Sequence, residues 1–267
     1  MTMKYKLIAV DMDGTLLDSD KKLSRESIAA VKRYTDSGGI FIISTGRPIQ
    51  GVENYYEILG IDTPVLAFNG AMIITPFERK ILYEITLDEE TALNAIQYGR
   101  ELGTTLCIWS ENRLHAFEIC ERVKTYAARS GVTPTIIEDA GTIAKQGISK
   151  VLWYDEESKI EKYQIGIEQH IKGTYNYFTS ELYYLEFVNP EASKASGLRF
   201  LGEYYGIEQA EMIAIGDGMN DISMIEYAGL GVAMANAAEK VKAAADFITL
   251  TNDEDGVVHV IDEIALG

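Results

Sequence analysis

The sequence predicts an α/β protein: a core built on a parallel sheet and interrupted by a smaller α+β unit. Three observations predict it. Apolar, partly β-branched runs at Leu7–Val10, Ile40–Ile43 and 65–68 alternate with stretches of helical spacing, the order that implies parallel pairing through right-handed crossovers. After residue 82 the pattern changes to hairpins mixed with helices, and from Pro190 strand and helix alternate again. These shifts place a discontinuous core domain at 1–82 and 190–267 and an inserted domain at 83–189. A chain of 267 residues with 47% hydrophobic content is long enough for both.

The first strand ends in Asp11, Asp13, Gly14 and Thr15, so charge and a turn stand at its carboxyl end. In an extended chain, residues i and i+2 share a face, which aims Asp11 and Asp13 at one spot beyond the strand, where open α/β sheets place ligands. Two close carboxylates repel unless a cation or a proton sits between them. A solvated acidic turn is the simpler reading of such a pair alone. Ser24 caps a helix to about residue 37, with Ile28, Val31 and Tyr34 on its buried side and Gly38-Gly39 stopping it. The second strand ends in Ser44-Thr45-Gly46-Arg47-Pro48, and Pro48 suits the first turn of a helix to about residue 59. The third strand ends at Asn69-Gly70. Next come a hairpin (71–74 with 80–85), a helix (87–102), strands (104–109 and 113–117), a helix (118–129), a strand (148–154), a helix (156–170) and a hairpin (175–179 with 183–188). Tyr175, Tyr177, Tyr183 and Tyr184 read as strand packing. The core resumes with a helix over 192–205, a strand over 211–215 that ends in GDGMND (216–221), and a helix over 219–227. A strand (229–233), a helix (239–244), a short strand (247–249) and a helix (256–264) complete it.

Lys and Arg total 24 against 41 Asp and Glu, a formal charge of −17. Such a surface repels phosphate backbones and argues against nucleic-acid binding. It also repels a small anionic substrate until salt screens the field, within roughly 8 Å. A phosphate site must therefore carry its own positive charge. Cys107 and Cys120 form no CxxC, and the chain is too large to need disulfide staples, so reduced thiols in a cytoplasmic protein are expected. His115, His170 and His259 are scattered, with no zinc spacing. Asp11 interrupts the first apolar run too early for a signal peptide, and no uncharged stretch is long enough to span a bilayer.

Four polar clusters fall where predicted core elements begin or end: Asp11 with Asp13; Ser44, Thr45 and Gly46; Lys194; and Gly216, Asp217, Asn220 and Asp221. A parallel sheet can bring the three strand ends to one edge, where a helix start can join them. Hard carboxylate oxygens without histidine suit Mg²⁺. The amides around Gly46 can donate to a phosphate, and Lys194 adds a point charge. This set matches phosphoryl transfer, in which positioning and charge neutralisation do most of the catalysis. GDGMND begins as G-x-G, but its third glycine position holds Asp221, so a dinucleotide fingerprint fits poorly, and no P-loop string occurs.

DMDGTLL, STGRP, the Lys194 region and IGDGMND resemble motifs one to four of the haloacid-dehalogenase (HAD) superfamily. FNGA (68–71) and MIEYAGLGVAMANA (224–237) resemble its Cof-type, sugar-phosphatase-like members. The resemblance covers the whole chain and implies a Rossmann-like HAD core with a C2-type cap. It implies Asp11 as nucleophile, forming an aspartyl-phosphate, and Asp13 as the acid and base. Mg²⁺ would be held by Asp11, the Asp13 backbone carbonyl and Asp217, with Asp221 acting through water. Thr45 and the Gly46 amide would hold the phosphoryl group, with Ser44 the less favoured hydroxyl. Lys194 would counter the charge, and Asn220 would also reach the phosphate. Arg47 would either reach a substrate or pair with a core carboxylate, and Asn69 is a candidate to line the site. Relatives often read Lys-Gly where this chain reads Lys194-Ala195-Ser196-Gly197, which leaves the helix start open. In the insertion, Arg113 and His115 are polar candidates that surface positions explain equally well.

The expected function is Mg²⁺-dependent hydrolysis of small phosphomonoesters, with sugar phosphates the favoured class. The expected partner is a small phosphorylated metabolite, with no nucleic acid and no membrane, acting on a monomer or small homo-oligomer. A phosphomutase of the same superfamily is the nearest alternative. A phospho-aspartate signalling module or metabolite-binding protein is the alternative from another class.

Overall fold

The computed structural model describes residues 3–267. The chain divides into two compact units, one running to Tyr83 and resuming over Ser193–Gly267, the other Glu84–Ala192. In the first unit, β1 (Leu7–Val10) is apolar and wholly buried, as suits a central strand covered on both faces. Helix α1 (Arg25–Asp36) is capped by the Ser24 hydroxyl, which accepts from the Ser27 amide. It buries Ser27, Ala30, Val31 and Tyr34, while Ile28 is only half-buried. After β2 (Ile40–Ile43), Pro48 starts a single 3₁₀ turn, Ile49–Gly51, rather than a long helix. Val52 leaves the helical region at φ −131°, and α2 is confined to Glu53–Leu59.

Strand β3 (Val65–Ala67) departs from the expected parallel pairing. It meets β2's extension at one parallel bridge, Ser44 to Leu66, and then pairs antiparallel with β4 (Met72–Ile74). With β5 (Ile81–Glu84) these form a separate three-stranded sheet. The cause is the turn at Phe68–Gly70. Asn69 at φ 56° and Gly70 at φ 96° reverse the chain at once, and a hairpin needs no crossover.

The second unit opens with α3 (Glu89–Leu102), capped by Asp88, followed by β6 (Thr105–Ser110), β7 (Arg113–Ala116) and α4 (Glu121–Ser130). A two-residue strand β8 (Thr135–Ile136) and α5 (Ala140–Gln146), neither expected from the sequence, come next. Then follow β9 (Lys150–Tyr154), α6 (Glu157–Gln164), α7 (Ile167–His170), β10 (Asn176–Glu181) and β11 (Tyr184–Val188). The helix expected over 156–170 is thus two, broken at Ile165-Gly166, where an added Cβ would strike the Tyr98 hydroxyl. The six strands run in the order β10-β11-β9-β6-β7-β8. Tyr175 and Tyr177 pack on Phe187, and Tyr183 and Tyr184 on Tyr154, so the tyrosines do serve strand packing.

Returning to the first unit, α8 (Lys194–Tyr205) precedes β12 (Met212–Gly216). A 3₁₀ turn, Met219–Asp221, leads into α9 (Ile222–Tyr227). β13 (Leu230–Ala233), α10 (Glu239–Lys242), β14 (Phe247–Ile248) and α11 (Gly256–Val260) follow. The main sheet is parallel, in the order β14-β13-β12-β1-β2. Its register sets Val10 level with both Ile43 and Ile215. The residues that follow, Asp11, Ser44 and Gly216, therefore leave the sheet side by side at its carboxyl edge. Leu198 and Leu201 of α8 pack on Leu7, Ala9, Ile42 and Met212, fully buried, each contributing about 1.5–3 kcal/mol.

Candidate active site

The start of α8 decides where the site's one buried cation sits. The Ser193 hydroxyl accepts from the Ser196 amide at 3.1 Å, and the Ser196 hydroxyl accepts from the Ser193 amide at 3.1 Å. This reciprocal cap fixes Lys194 as the first helical residue, so the helix start left open by the sequence lies at Lys194. Gly70 lets it happen: an added Cβ there would collide with the Ser193 carbonyl. Lys194 is completely buried. Its ammonium donates to Asp11 Oδ1 at 2.6 Å, Asp221 Oδ1 at 2.5 Å and the Ser44 carbonyl at 3.0 Å. All three donors are satisfied, the condition for keeping such a charge out of water. Burial alone would lower the lysine's pKa, but the charges of Asp11 and Asp221 hold it well above its ordinary value.

Asp11, Asp217 and Asp221 each place a carboxylate oxygen within 4.8 Å of the other two. Asp221 uses its remaining oxygen to accept from the amides of Asp217 (3.0 Å) and Gly218 (2.8 Å). Asp217 Oδ1 accepts from the Thr15 hydroxyl at 2.8 Å. Gly14, at φ 87°, passes so close that an added Cβ would come within 2.5 Å of Asp217 Oδ2. Burial pushes the Asp11 carboxyl up to about 7 despite Lys194, with repulsion from Asp221 and Asp217 adding to it. Burial, then Asp221, raises Asp217 as well. Three carboxylates thus face one ammonium, and among the described residues none donates to the Oδ2 atoms of Asp11 and Asp217. An all-oxygen donor set with surplus negative charge fits a hard divalent cation.

Asp13 does not join this group, contrary to the extended-chain reading. The backbone turns directly after Asp11: the amides of Leu16 and Leu17 donate to the carbonyls of Asp11 (3.2 Å) and Met12 (2.9 Å). The Asp13 carboxylate instead takes Arg47 as a fork, Nη2 to Oδ1 at 2.6 Å and Nε to Oδ2 at 2.8 Å. Lys21 Nζ adds a third contact to Oδ1 at 2.9 Å. Burial works to raise this carboxyl's pKa, but the hydrogen bonds from Arg47 and Lys21 outweigh it and hold it low. Of the two readings of Arg47, the structure has it paired with a core carboxylate.

The Thr45 hydroxyl is buried and accepts from the Arg47 amide at 3.1 Å. The Ser44 hydroxyl is buried and has no partner among the described residues. Asn220 Nδ2 donates to Asn69 Oδ1 at 2.9 Å, and an added Cβ on Gly46 would lie 3.1 Å from that same oxygen. Ser44, Thr45, Gly46, Asn69 and Asn220 therefore stand together beside the acidic group. Arg113 and His115 belong to the other unit, where Arg113 is exposed and His115 is buried, its pKa lowered by burial. Sequence reasoning missed Lys21, which reads as a solvated turn lysine. It also missed two braces of the turn after β1: Asn236 donates to the Gly14 carbonyl at 2.8 Å and Asn252 to that of Leu17 at 2.9 Å.

The acidic group, Lys194 and the Ser44–Gly46 loop lie together at the carboxyl edge of a parallel sheet, an arrangement suited to a hydrolase. The sequence profile of the haloacid dehalogenase-like hydrolases matches residues 8–261, and the chain belongs to that family. Its activity class is that of a phosphatase. A haloacid dehalogenase-like hydrolase from Bacteroides thetaiotaomicron superposes with a TM-score of 0.86 at 34% identity, covering 97% of this chain and 99% of its own. The HAD subclass IIB sugar phosphatase BT4131 gives a TM-score of 0.79 at 25% identity, over 98% of this chain and 100% of that one. The 5-amino-6-(5-phospho-D-ribitylamino)uracil phosphatase YitU of Bacillus subtilis (strain 168) is 30% identical over 98% of both chains. Among the described residues no helix is long and apolar enough to cross a membrane.

Proposed function

We propose that the protein hydrolyses small phosphomonoesters with Mg²⁺, with sugar phosphates the favoured class, through a phosphoryl group carried on Asp11. The observation that carries this reading is the buried ammonium of Lys194, which ties Asp11 to Asp221 beside Asp217. A carboxylate oxygen of Asp11 attacks phosphorus as the bond to the leaving alcohol breaks. Asp13 gives that alcohol its proton and then takes one from the water that attacks the aspartyl-phosphate, releasing phosphate. Lys194 offsets charge on Asp11 and the phosphoryl oxygens, while Thr45, the Gly46 amide and Asn220 orient them, with Ser44 the alternative hydroxyl. Mg²⁺ would rest on Asp11, the Asp13 carbonyl, Asp217 and, through water, Asp221, and when bound it supplies the positive charge that a −17 protein lacks. Residues 83–189 would serve as a C2-type cap that excludes water and reads the leaving group. The relatives support the substrate class: one carries a phosphorylated ribityl compound in its name, another is a sugar phosphatase. The two cysteines are unpaired, in keeping with a cytoplasmic protein.

The test is phosphate release from a panel of phosphorylated sugars and related metabolites. Release should require added Mg²⁺, stop with EDTA, and be absent in a folded Asp11→Asn variant. Turnover by that variant would reject Asp11 as nucleophile.

A further inference from the structure

Asn236 has no part in the chemistry proposed for Asp11, yet it holds the turn that carries Asp13, Gly14 and Thr15. We propose that Asn236 is a positioning residue for the cation site and makes that site favour Mg²⁺ over Ca²⁺. The proposal rests on the reading of Asp11, the Asp13 carbonyl and Asp217 as ligands of a divalent cation.

The geometry points to this through Gly14. The turn after β1 passes so close to Asp217 that an added Cβ on Gly14 would lie 2.5 Å from Oδ2 of that carboxylate. A side chain there would displace Asp217, and Gly14 stands at φ 87°, in the left-handed region. The same lack of a Cβ leaves the peptides on either side free to rotate. The peptide before Gly14 carries the Asp13 carbonyl, a proposed ligand. The one after it leads to Thr15, whose hydroxyl donates to Asp217 Oδ1 at 2.8 Å. A turn that must be glycine to approach Asp217 therefore needs an outside anchor to keep one conformation there.

Asn236 is that anchor. Its Nδ2 donates to the Gly14 carbonyl at 2.8 Å, and its Oδ1 accepts from the Asn252 amide at 3.1 Å. With both ends of the side-chain amide engaged, its orientation is set. The backbone that carries it is itself tied to the Asp217 loop. β13 ends at Ala233, level with Gly216, and the next residue, Met234, donates its amide to the Gly216 carbonyl at 3.0 Å. The Ala235 amide donates to the Leu250 carbonyl at 3.2 Å. Asn252 returns to the same turn, its Nδ2 donating to the Leu17 carbonyl at 2.9 Å. One short segment, 234–236, thus grips the residue before Asp217 and the residue after Asp13, and it fixes the spacing of the two loops. The Asn236 side chain is exposed, so its hydrogen bond adds little to folding stability.

A fixed spacing of ligands matters more for one cation than for the other. Mg²⁺ demands near-octahedral oxygens at about 2.0–2.1 Å, whereas Ca²⁺ accepts flexible arrangements at about 2.3–2.6 Å. Loosening the turn therefore weakens Mg²⁺ and spares Ca²⁺. The experiment measures Kd for MgCl₂ and, separately, CaCl₂ by isothermal titration calorimetry on the full chain. Wild type, Asn236→Ala, Asn236→Asp and Ser24→Ala are compared. Asn236→Ala should weaken Mg²⁺ roughly tenfold, the loss typical of removing a group that orients a metal ligand, and change Ca²⁺ by less than about twofold. Asn236→Asp keeps the volume and the Oδ1 acceptor but loses the donor. Its added charge acts alike on two divalent ions, so the Mg²⁺-to-Ca²⁺ affinity ratio should fall as in Asn236→Ala. Ser24→Ala removes a helix cap whose hydrogen bonds run to Ser27 and Asp255, and it should leave the ratio unchanged. Equal weakening of both ions, weakening of neither, or the same fall of the ratio in Ser24→Ala overturns the role of Asn236. If wild type binds neither ion, the cation site itself is refuted and the proposal falls with it.

Discussion

Lys194 directs all three of its donors inward, to two carboxylates and a carbonyl that come from three different strand ends. Replacing it with methionine keeps the volume but leaves Asp11 and Asp221 buried without their cation. Breaking a buried pair from one side costs about 3–5 kcal/mol, so urea denaturation of metal-free Lys194→Met should show a loss of that order. A loss under about 1 kcal/mol would mean that the ammonium is not holding the carboxylates together. The same crowding sets a pH dependence. Asp11 rises from 3.8 to about 7 on folding, so folding favours its protonated form. The stability this contributes is complete below its unfolded value and is lost as pH rises through about 7. Asp13 shifts the other way, and its contribution disappears only in acid. The melting temperature of the metal-free protein should therefore fall between about pH 6 and pH 8, and added Mg²⁺ should counter the fall. A rise across that window would contradict it. The two lysines differ in legibility. Lys194 stood out because it matches the lysine position of a family pattern near an expected helix start. Lys21 did not, because a lysine in a polar turn is ordinarily solvated and only the fold brings it to Asp13.

At the scale of elements, the site depends on how closely the Phe68–Gly70 turn approaches the start of α8. Gly70→Ala meets both a left-handed φ and the Ser193 carbonyl. It should lower stability by about 1–3 kcal/mol and lower kcat/KM, because α8 must shift and carry Lys194 with it. Unchanged activity in this variant would show that α8 tolerates displacement. The parallel strands were legible because four-residue apolar runs bounded by glycine and charge leave little choice, and β1, β2 and β12 fall where those runs do. The partners of β3 were not, since its three residues carry no sign of which edge they meet, and the positive φ of Asn69 is a property of the turn. The breaks at Val52 and at Ile165-Gly166 were also hidden. Each interrupts a helical pattern that continues on both sides. The convergence of Asp11 with Asp217 and Asp221 was legible from strand ends, whereas the diversion of Asp13 to Arg47 was not, because it depends on a turn that starts one residue earlier than an extended chain allows.

Over the whole molecule, a charge of −17 opposes the approach of a dianionic substrate, while the carboxyl edge of the main sheet concentrates Lys194, Lys21, Arg47 and an acidic group that fits a divalent cation. The long-range and local fields have opposite signs and respond differently to salt. Raising ionic strength from about 10 mM to about 150 mM, at constant free Mg²⁺, should raise kcat/KM for a dianionic substrate through KM, since screening removes the distant repulsion first. A fall would mean that local attraction already dominates beyond the site. The central claim is that Asp11 carries the phosphoryl group between the two halves of the reaction. The most direct measurement is mass spectrometry of peptides from protein quenched in acid during turnover of a phosphomonoester with Mg²⁺. The account predicts one phosphoryl group on the peptide that contains Asp11, absent from Asp11→Asn. Phosphate released with no phosphorylated peptide at any time, or a phosphoryl group on a different residue, would contradict it.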